Sequence, residues 1–206
     1  MSAADSNLTI GVLALQGSFD LHVRSLERSG ASTRLVRRPE DLNGLHGLVI
    51  PGGESTTMSL LAERYGLFGE LRRRGREGLA MFGTCAGAIL LGRDVGDPPR
   101  LGLVDIDVDR NAYGRQVDSF TASVAISVAT DDATPFSATF IRAPKISREA
   151  VDHPSTELLA AHEGNPVLIR WENYLLGTFH PELTDDLRVH RYFLEMCRST
   201  VTNAQL

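Results

Sequence analysis

Between Leu79 and Leu91 the chain runs from an apolar stretch, Leu79-Ala80-Met81-Phe82, through Gly83-Thr84-Cys85-Ala86-Gly87 into a second apolar stretch, Ala88-Ile89-Leu90-Leu91. That pattern predicts a strand, a sharp turn bounded by glycines and a helix, with a thiol at the apex. It is the nucleophile-elbow pattern G-x-S-x-G with sulfur in place of oxygen. Such a turn lifts the Cys85 side chain clear of the sheet. The helix that follows turns its N-terminal N–H groups and positive dipole end toward the sulfur, which suits an anionic nucleophile.

The rest of the first half has the same grammar. Thr9–Leu15 reads as a strand that turns at Gln16-Gly17-Ser18 into a helix over Phe19–Arg28, and strands are predicted over Thr33–Val36 and Gly47–Ile50. A helical pattern from Ser55 to Arg74, broken near Gly66, leads to the Leu79–Phe82 strand. Alternation of this kind predicts an α/β fold with a mostly parallel, doubly wound sheet and flanking helices. In such sheets the site lies at the carboxyl ends of the strands, where Gln16, Gly52-Gly53 and Cys85 all fall. The second half is richer in strands: Leu103–Val108, Ala122–Val128, Thr139–Ile141, Glu157–Ala161, Pro166–Trp171 and Tyr174–Phe179, before a closing helix over Asp186–Arg198. No repeat or linker divides the 206 residues, so one domain is expected, with residues 1–7 as a disordered tail.

A nucleophilic thiol needs a base. Of six histidines, His180 stands apart, because it ends the run Tyr174–Phe179 and precedes Pro181-Glu182. Proline disfavours a helical conformation at His180. In an extended stretch residues two apart face the same way, so Glu182 can accept the imidazole N–H and fix its tautomer. Taken singly, a cysteine between glycines is a small buried hydrophobe and a His-Pro-Glu is a turn at a strand end. Together, in this order, they supply nucleophile, base and orienter.

Pro51-Gly52-Gly53-Glu54-Ser55-Thr56 follows a strand and precedes a helix. It lacks the G-K-[ST] ending of a phosphate loop. Paired glycines suit an oxyanion hole, in which the Gly52-Gly53 turn and the N–H of Ala86 would supply the donors. Arg142, just after a short strand, or an arginine of the loop Arg110–Gln116 could clamp a carboxylate. Arg72-Arg73-Arg74 with Arg76 reads as a solvated helix face. A net charge of −5 argues against general nucleic-acid binding. No stretch is apolar enough to span a bilayer, no cysteine–histidine cluster has metal-ligand spacing, and the polar stretch Met1–Asn7 leads to the expectation of no signal peptide. Two cysteines, with Cys197 packed in the closing helix, fit a reduced, cytoplasmic protein.

With these motifs placed, the chain resembles the class I, triad-type glutamine amidotransferases. Within them it resembles the glutaminase subunits of two-component pyridoxal 5'-phosphate synthases. The resemblance spans Leu8 to Arg198 and rests on Gly11–Gly17, Leu48–Met58, Met81–Gly87, Arg110–Phe120, Phe140–Pro144 and Phe179–Thr184. The Cys and His-Pro-Glu elements are shared by many glutaminases, whereas PGGESTTM and RNxxGRQVDSF are specific to this subunit type. The resemblance implies a flavodoxin-like fold and a glutaminase with Cys85 as nucleophile, His180 as base and Glu182 as orienter. Gly52, Gly53, Glu54, Arg110, Ile141 and Arg142 would line the glutamine site. Gly53 and Ala86 would serve the oxyanion, with Gln16 nearby. It further implies no cofactor and delivery of ammonia to a synthase subunit in a large hetero-oligomer, for assembly of pyridoxal phosphate from a pentose phosphate and a triose phosphate. Arg110, Arg115, Gln116 and the face near Gln16 and Ser18 would feel that partner. A glutaminase serving another synthase, an elbow-type cysteine hydrolase and a non-catalytic glutamine sensor are the competing readings.

Overall fold

The computed structural model describes residues 8–110, 119–128 and 133–203. Its strands are β1 (Thr9–Leu13), β2 (Ser32–Val36), β3 (Gly47–Ile50), β4 (Ala80–Thr84), β5 (Val108–Asp109), β6 (Phe120–Val124), β7 (Phe136–Phe140), β8 (Lys145–Ile146), β9 (Thr156–His162), β10 (Asn165–Trp171) and β11 (Tyr174–Gly177). Its α-helices are α1 (Phe19–Arg28), α2 (Ser55–Arg64), α3 (Leu67–Arg76), α4 (Ala86–Leu91) and α5 (Arg188–Asn203).

A seven-stranded sheet in the order β2-β1-β3-β4-β11-β10-β9 forms the centre. The first five strands pair in parallel, whereas β11, β10 and β9 pair antiparallel. Side chains alternate across it as a pleat requires. Leu13, Leu48, Ile50 and Met81 pack on one face, with α2, α3 and α4. Ile10, Val12, Val49 and Phe82 pack on the other, with α1, α5 and the β6–β7 hairpin. Covering both faces is what makes the central strands apolar throughout. The chain leaves β1 first to one side, for β2, and then crosses to the other, for β3, so the switch point lies at the carboxyl end of β1.

The alternating α/β architecture with extra second-half strands is as the sequence predicts. One strand is not: across 103–108, only Val108 enters a strand. The backbone there is engaged elsewhere, since Leu103 and Val104 both donate to the Leu91 carbonyl at the end of α4. The left-handed φ of 58° at Gly102 also breaks the approach. The Thr139–Ile141 strand lies earlier than expected, over Phe136–Phe140, leaving Ile141 and Arg142 exposed beyond its end. Arg142 takes φ 46°, an uncommon conformation for a side-chain-bearing residue.

Candidate active site

Four strand ends converge. Cys85 follows β4, and its φ of 48° with ψ −106° is the strained elbow itself. Its N–H donates to the Gly177 carbonyl at 2.8 Å, which ties the elbow to the end of β11. The thiol is 7% exposed, and its sulfur lies 3.8 Å from the Ile141 carbonyl oxygen. Close packing beneath the elbow needs a bare backbone: a Cβ on Gly87 would sit 2.0 Å from the Ile50 carbonyl.

His180 follows β11, where its N–H donates to the Thr139 carbonyl at 2.9 Å. Its Nδ1 meets Glu182 Oε1 at 2.8 Å, across the i, i+2 step that Pro181 stiffens. Burial, the largest influence, works against a charge on His180. Interaction with the Cys85 sulfur and with Glu182 outweighs it and raises the imidazole to about 10. Glu182 is buried, which favours its neutral form, yet the neighbouring His22, the bond and charge of His180 and the Ser18 hydroxyl hold it down at about 2. The carboxylate is therefore an anion across the whole working range of pH.

Glu182 has more partners than the sequence revealed. Ser18, at the start of α1, donates its hydroxyl to Oε1 at 2.7 Å. His22, on the buried side of α1, brings Nε2 to 3.3 Å from Oε2. That approach is an ion-pair distance without hydrogen-bond alignment, and among the described residues Oε2 has no well-aligned donor. Behind His22 stands His190 of α5, at 3.0 Å. The signal for both histidines is helical periodicity: His22 with Ser25 and Leu26, and His190 with Phe193 and Cys197, occupy the buried stripes of their helices.

The Gly52-Gly53 loop follows β3. Gly52 faces His180, Ser18 N–H donates to the Gly52 carbonyl at 3.3 Å, and Glu54 N–H donates to Gln16 Oε1 at 2.7 Å. Gln16 thus acts here as an acceptor that holds the loop. The Glu54 carboxylate caps α2, accepting from Thr57 N at 2.8 Å and Thr56 N at 3.4 Å. Arg110 reaches the same helix start and donates to Thr56 Oγ1 at 2.9 Å. Ala86 begins α4 and is buried beside the thiol. The structure therefore gathers Gln16, Gly52, Gly53, Glu54 and Arg110 where β1 and β3 end and α2 begins, with Gly52 against His180, while the Ile141 carbonyl meets the Cys85 sulfur and Arg142 follows it in the chain. Arg115 and Gln116 lie outside the described residues. Among the described residues no group of three or more histidine, cysteine, aspartate or glutamate side chains could hold a metal ion. No described helix is long and apolar enough to cross a membrane.

A nucleophile, a base and a buried carboxylate in series can perform acyl transfer through a covalent thioester. Comparison with known proteins agrees with that chemistry. The model of the SNO glutamine amidotransferase family matches residues 12–199. "Pyridoxal 5'-phosphate synthase subunit PdxT" of Pelotomaculum thermopropionicum is 50% identical over 192 residues, covering 92% of this chain and 95% of that protein. The protein of the same name from Thermotoga petrophila is 48% identical over 193 residues, covering 93% of this chain and all of the relative. A crystal structure described as a glutamine amidotransferase superposes with a TM-score of 0.81 at 48% identity, over 91% of this chain and 98% of its own. The structure of PurLQS from Thermotoga maritima shares only the fold, with a TM-score of 0.65 at 13% identity, over 97% of this chain and 99% of its own. With a family match over most of its length and relatives near half identity, the chain belongs to the SNO glutamine amidotransferase family.

Proposed function

We propose that this chain hydrolyses L-glutamine to glutamate and ammonia, and that it hands the ammonia to a synthase subunit that makes pyridoxal 5'-phosphate. The observation that carries this reading is the convergence of Cys85, His180 and Glu182 at the strand ends of a glutamine amidotransferase fold. The near-half identity to proteins named as subunits of pyridoxal 5'-phosphate synthase points to the partner.

In the proposed mechanism His180 takes the Cys85 proton and the sulfur adds to the carboxamide carbon of glutamine. The oxyanion is met by the N–H groups of Ala86 and Gly53, in the region bordered by Gln16. His180 then gives its proton to the amide nitrogen, the C–N bond breaks and ammonia leaves. Water attacks the thioester as His180 accepts its proton. The C–S bond breaks, glutamate departs and the thiol is restored. Gly52, Gly53, Glu54, Arg110, Ile141 and Arg142 form the glutamine site, with the arginines serving the substrate carboxylate.

Docking of the synthase acts as the switch in this account. The Gly52 carbonyl is held by a long bond from Ser18 N–H, 3.3 Å, and a glycine pair turns over at modest cost. A partner seated over Gln16, Ser18 and Arg110 would therefore set the Gly53 N–H. Assembly into a large hetero-oligomer and a cytoplasmic setting, suited to two free thiols, belong to the same proposal. The test is glutamate release from glutamine by the purified chain, titrated with the synthase subunit. The expected result is release that rises with synthase. No release with or without synthase contradicts the activity. A full rate in the isolated chain contradicts the switch alone.

A further inference from the structure

Behind the carboxylate that supports His180 lies a chain of buried polar groups that the triad does not use. His22 is fully buried in α1, His190 fully buried in α5 and Thr84 fully buried at the end of β4. His22 Nδ1 and His190 Nε2 are 3.0 Å apart. His22 Nε2 is 3.1 Å from Thr84 Oγ1 and 3.3 Å from Glu182 Oε2. His190 Nδ1 is buried without a hydrogen-bond partner among the described residues. Phe82 closes the chamber, with its ring edge-on to both imidazoles at centroid distances of 6.1 and 6.0 Å.

These contacts select one set of tautomers. If His22 carries its proton on Nε2, it donates that proton to Thr84 Oγ1 with the same N–H edge 3.3 Å from Glu182 Oε2, and its bare Nδ1 accepts from His190 Nε2–H. His190 Nδ1 is then a bare ring nitrogen, which needs no acceptor. With the reverse set, Glu182 Oε2 faces a lone pair at 3.3 Å and His190 buries an N–H with nothing to receive it. Both faults are costly for buried groups, and an orphaned buried N–H is the rarer state.

We propose that His22 is a positioning residue for the reaction: backed by His190 and bonded to Thr84, it sets the positive edge of a fixed Nε2–H beside Glu182 Oε2 and so favours the carboxylate rotamer whose Oε1 meets His180. The proposal rests on the glutaminase reading for its catalytic consequence but not for its geometry. Neutrality of the pair matters. A cationic His22 would compete with His180 for the Glu182 charge, whereas a neutral one orients the carboxylate and leaves its charge to His180. Burial pushes His22 below its ordinary value against the pull of Glu182, with His180 pushing the same way as burial. Burial, reinforced by His22 and opposed by Glu182, takes His190 to about 3.

Two readouts test this. Nitrogen-15 spectra of the histidine rings in the full chain are expected to show His22 and His190 both neutral and both in the Nε2–H form between about pH 5.5 and 8.5. An Nδ1–H tautomer at His22, or its titration inside that range, overturns the proposal whether or not the chain has glutaminase activity. The second readout is steady-state glutamine hydrolysis with synthase present. Glutamine at position 22 can place an amide N–H where Nε2 stood, whereas asparagine reaches only the Nδ1 position. His22→Asn and His22→Leu are expected to lower kcat about tenfold, the equivalent of one buried neutral hydrogen bond, with KM little changed. His22→Gln is expected to recover most of that loss. Equal kcat in the Gln and Asn variants, or wild-type kcat in the Leu variant, overturns the positioning role. Absence of any turnover in the wild type instead overturns the glutaminase reading.

Discussion

Gly52 lies against the His180 imidazole so closely that a Cβ on Gly52 would sit 2.3 Å from His180 Cε1 and 2.9 Å from Nδ1. The ring cannot retreat, because Glu182 holds Nδ1 from behind at 2.8 Å. Gly52→Ala is therefore expected to displace the imidazole from Cys85. A misplacement of about 1 Å at a catalytic group costs roughly a hundredfold in rate. The overpacking should also lower stability by about 1–3 kcal/mol. Turnover and thermal unfolding of the variant check this, and wild-type kcat would contradict the packing argument.

Glu182→Gln keeps the shape of the orienter and removes its charge. His180 then loses both the charge and the carboxylate bond that raise it, so its imidazole should titrate well below about 10. Turnover should fall about a hundredfold or more, as when a triad carboxylate is neutralised. Glutamine binding should survive. Proton NMR of His180 and steady-state kinetics provide the check.

The buried histidines make the fold acid-sensitive. In the unfolded chain His22 and His190 take up protons near their ordinary value, about 6.5. In the folded chain His190 resists until about 3 and His22 is likewise held low. Between those values the unfolded state binds more protons, so stability is full above about 6.5 and falls as the pH drops, by up to about 1.4 kcal/mol per pH unit for each histidine. Glu182, held at about 2, adds a loss of the same sign once the pH falls below the ordinary carboxylate range. His190→Phe should flatten the pH dependence of the denaturation midpoint between about pH 6.5 and 4. An unchanged slope would mean that His190 is not the residue responsible.

Local signals made much of this legible in the sequence. Phe19–Arg28 forms α1 with the predicted bounds, and the strand, glycine turn and helix around Cys85 fold as their pattern requires. His180 and Glu182 are two residues apart, so extended geometry was enough to pair them. Ser18, His22 and His190 could not be paired in the same way. Ser18 and Glu182 are 164 residues apart, and His22 and His190 are 168 apart. Periodicity tells that such a residue is buried, not what it meets across the sheet. The 103–108 stretch failed for a related reason: its alternation suits a strand, but the N–H groups of Leu103 and Val104 go to the end of α4, a partner that pattern alone does not show.

The proposed hydrolysis begins with attack of Cys85 on the side-chain amide of glutamine. The most direct measurement is covalent labelling with a glutamine-derived electrophile in the presence of synthase, read by peptide mass spectrometry beside glutamate release in Cys85→Ala. The expected result is a single adduct on Cys85, none on Cys197, whose thiol is fully buried and pushed up by desolvation, and no glutamate from the variant. Glutamate release by Cys85→Ala at an appreciable fraction of the wild-type rate would contradict it.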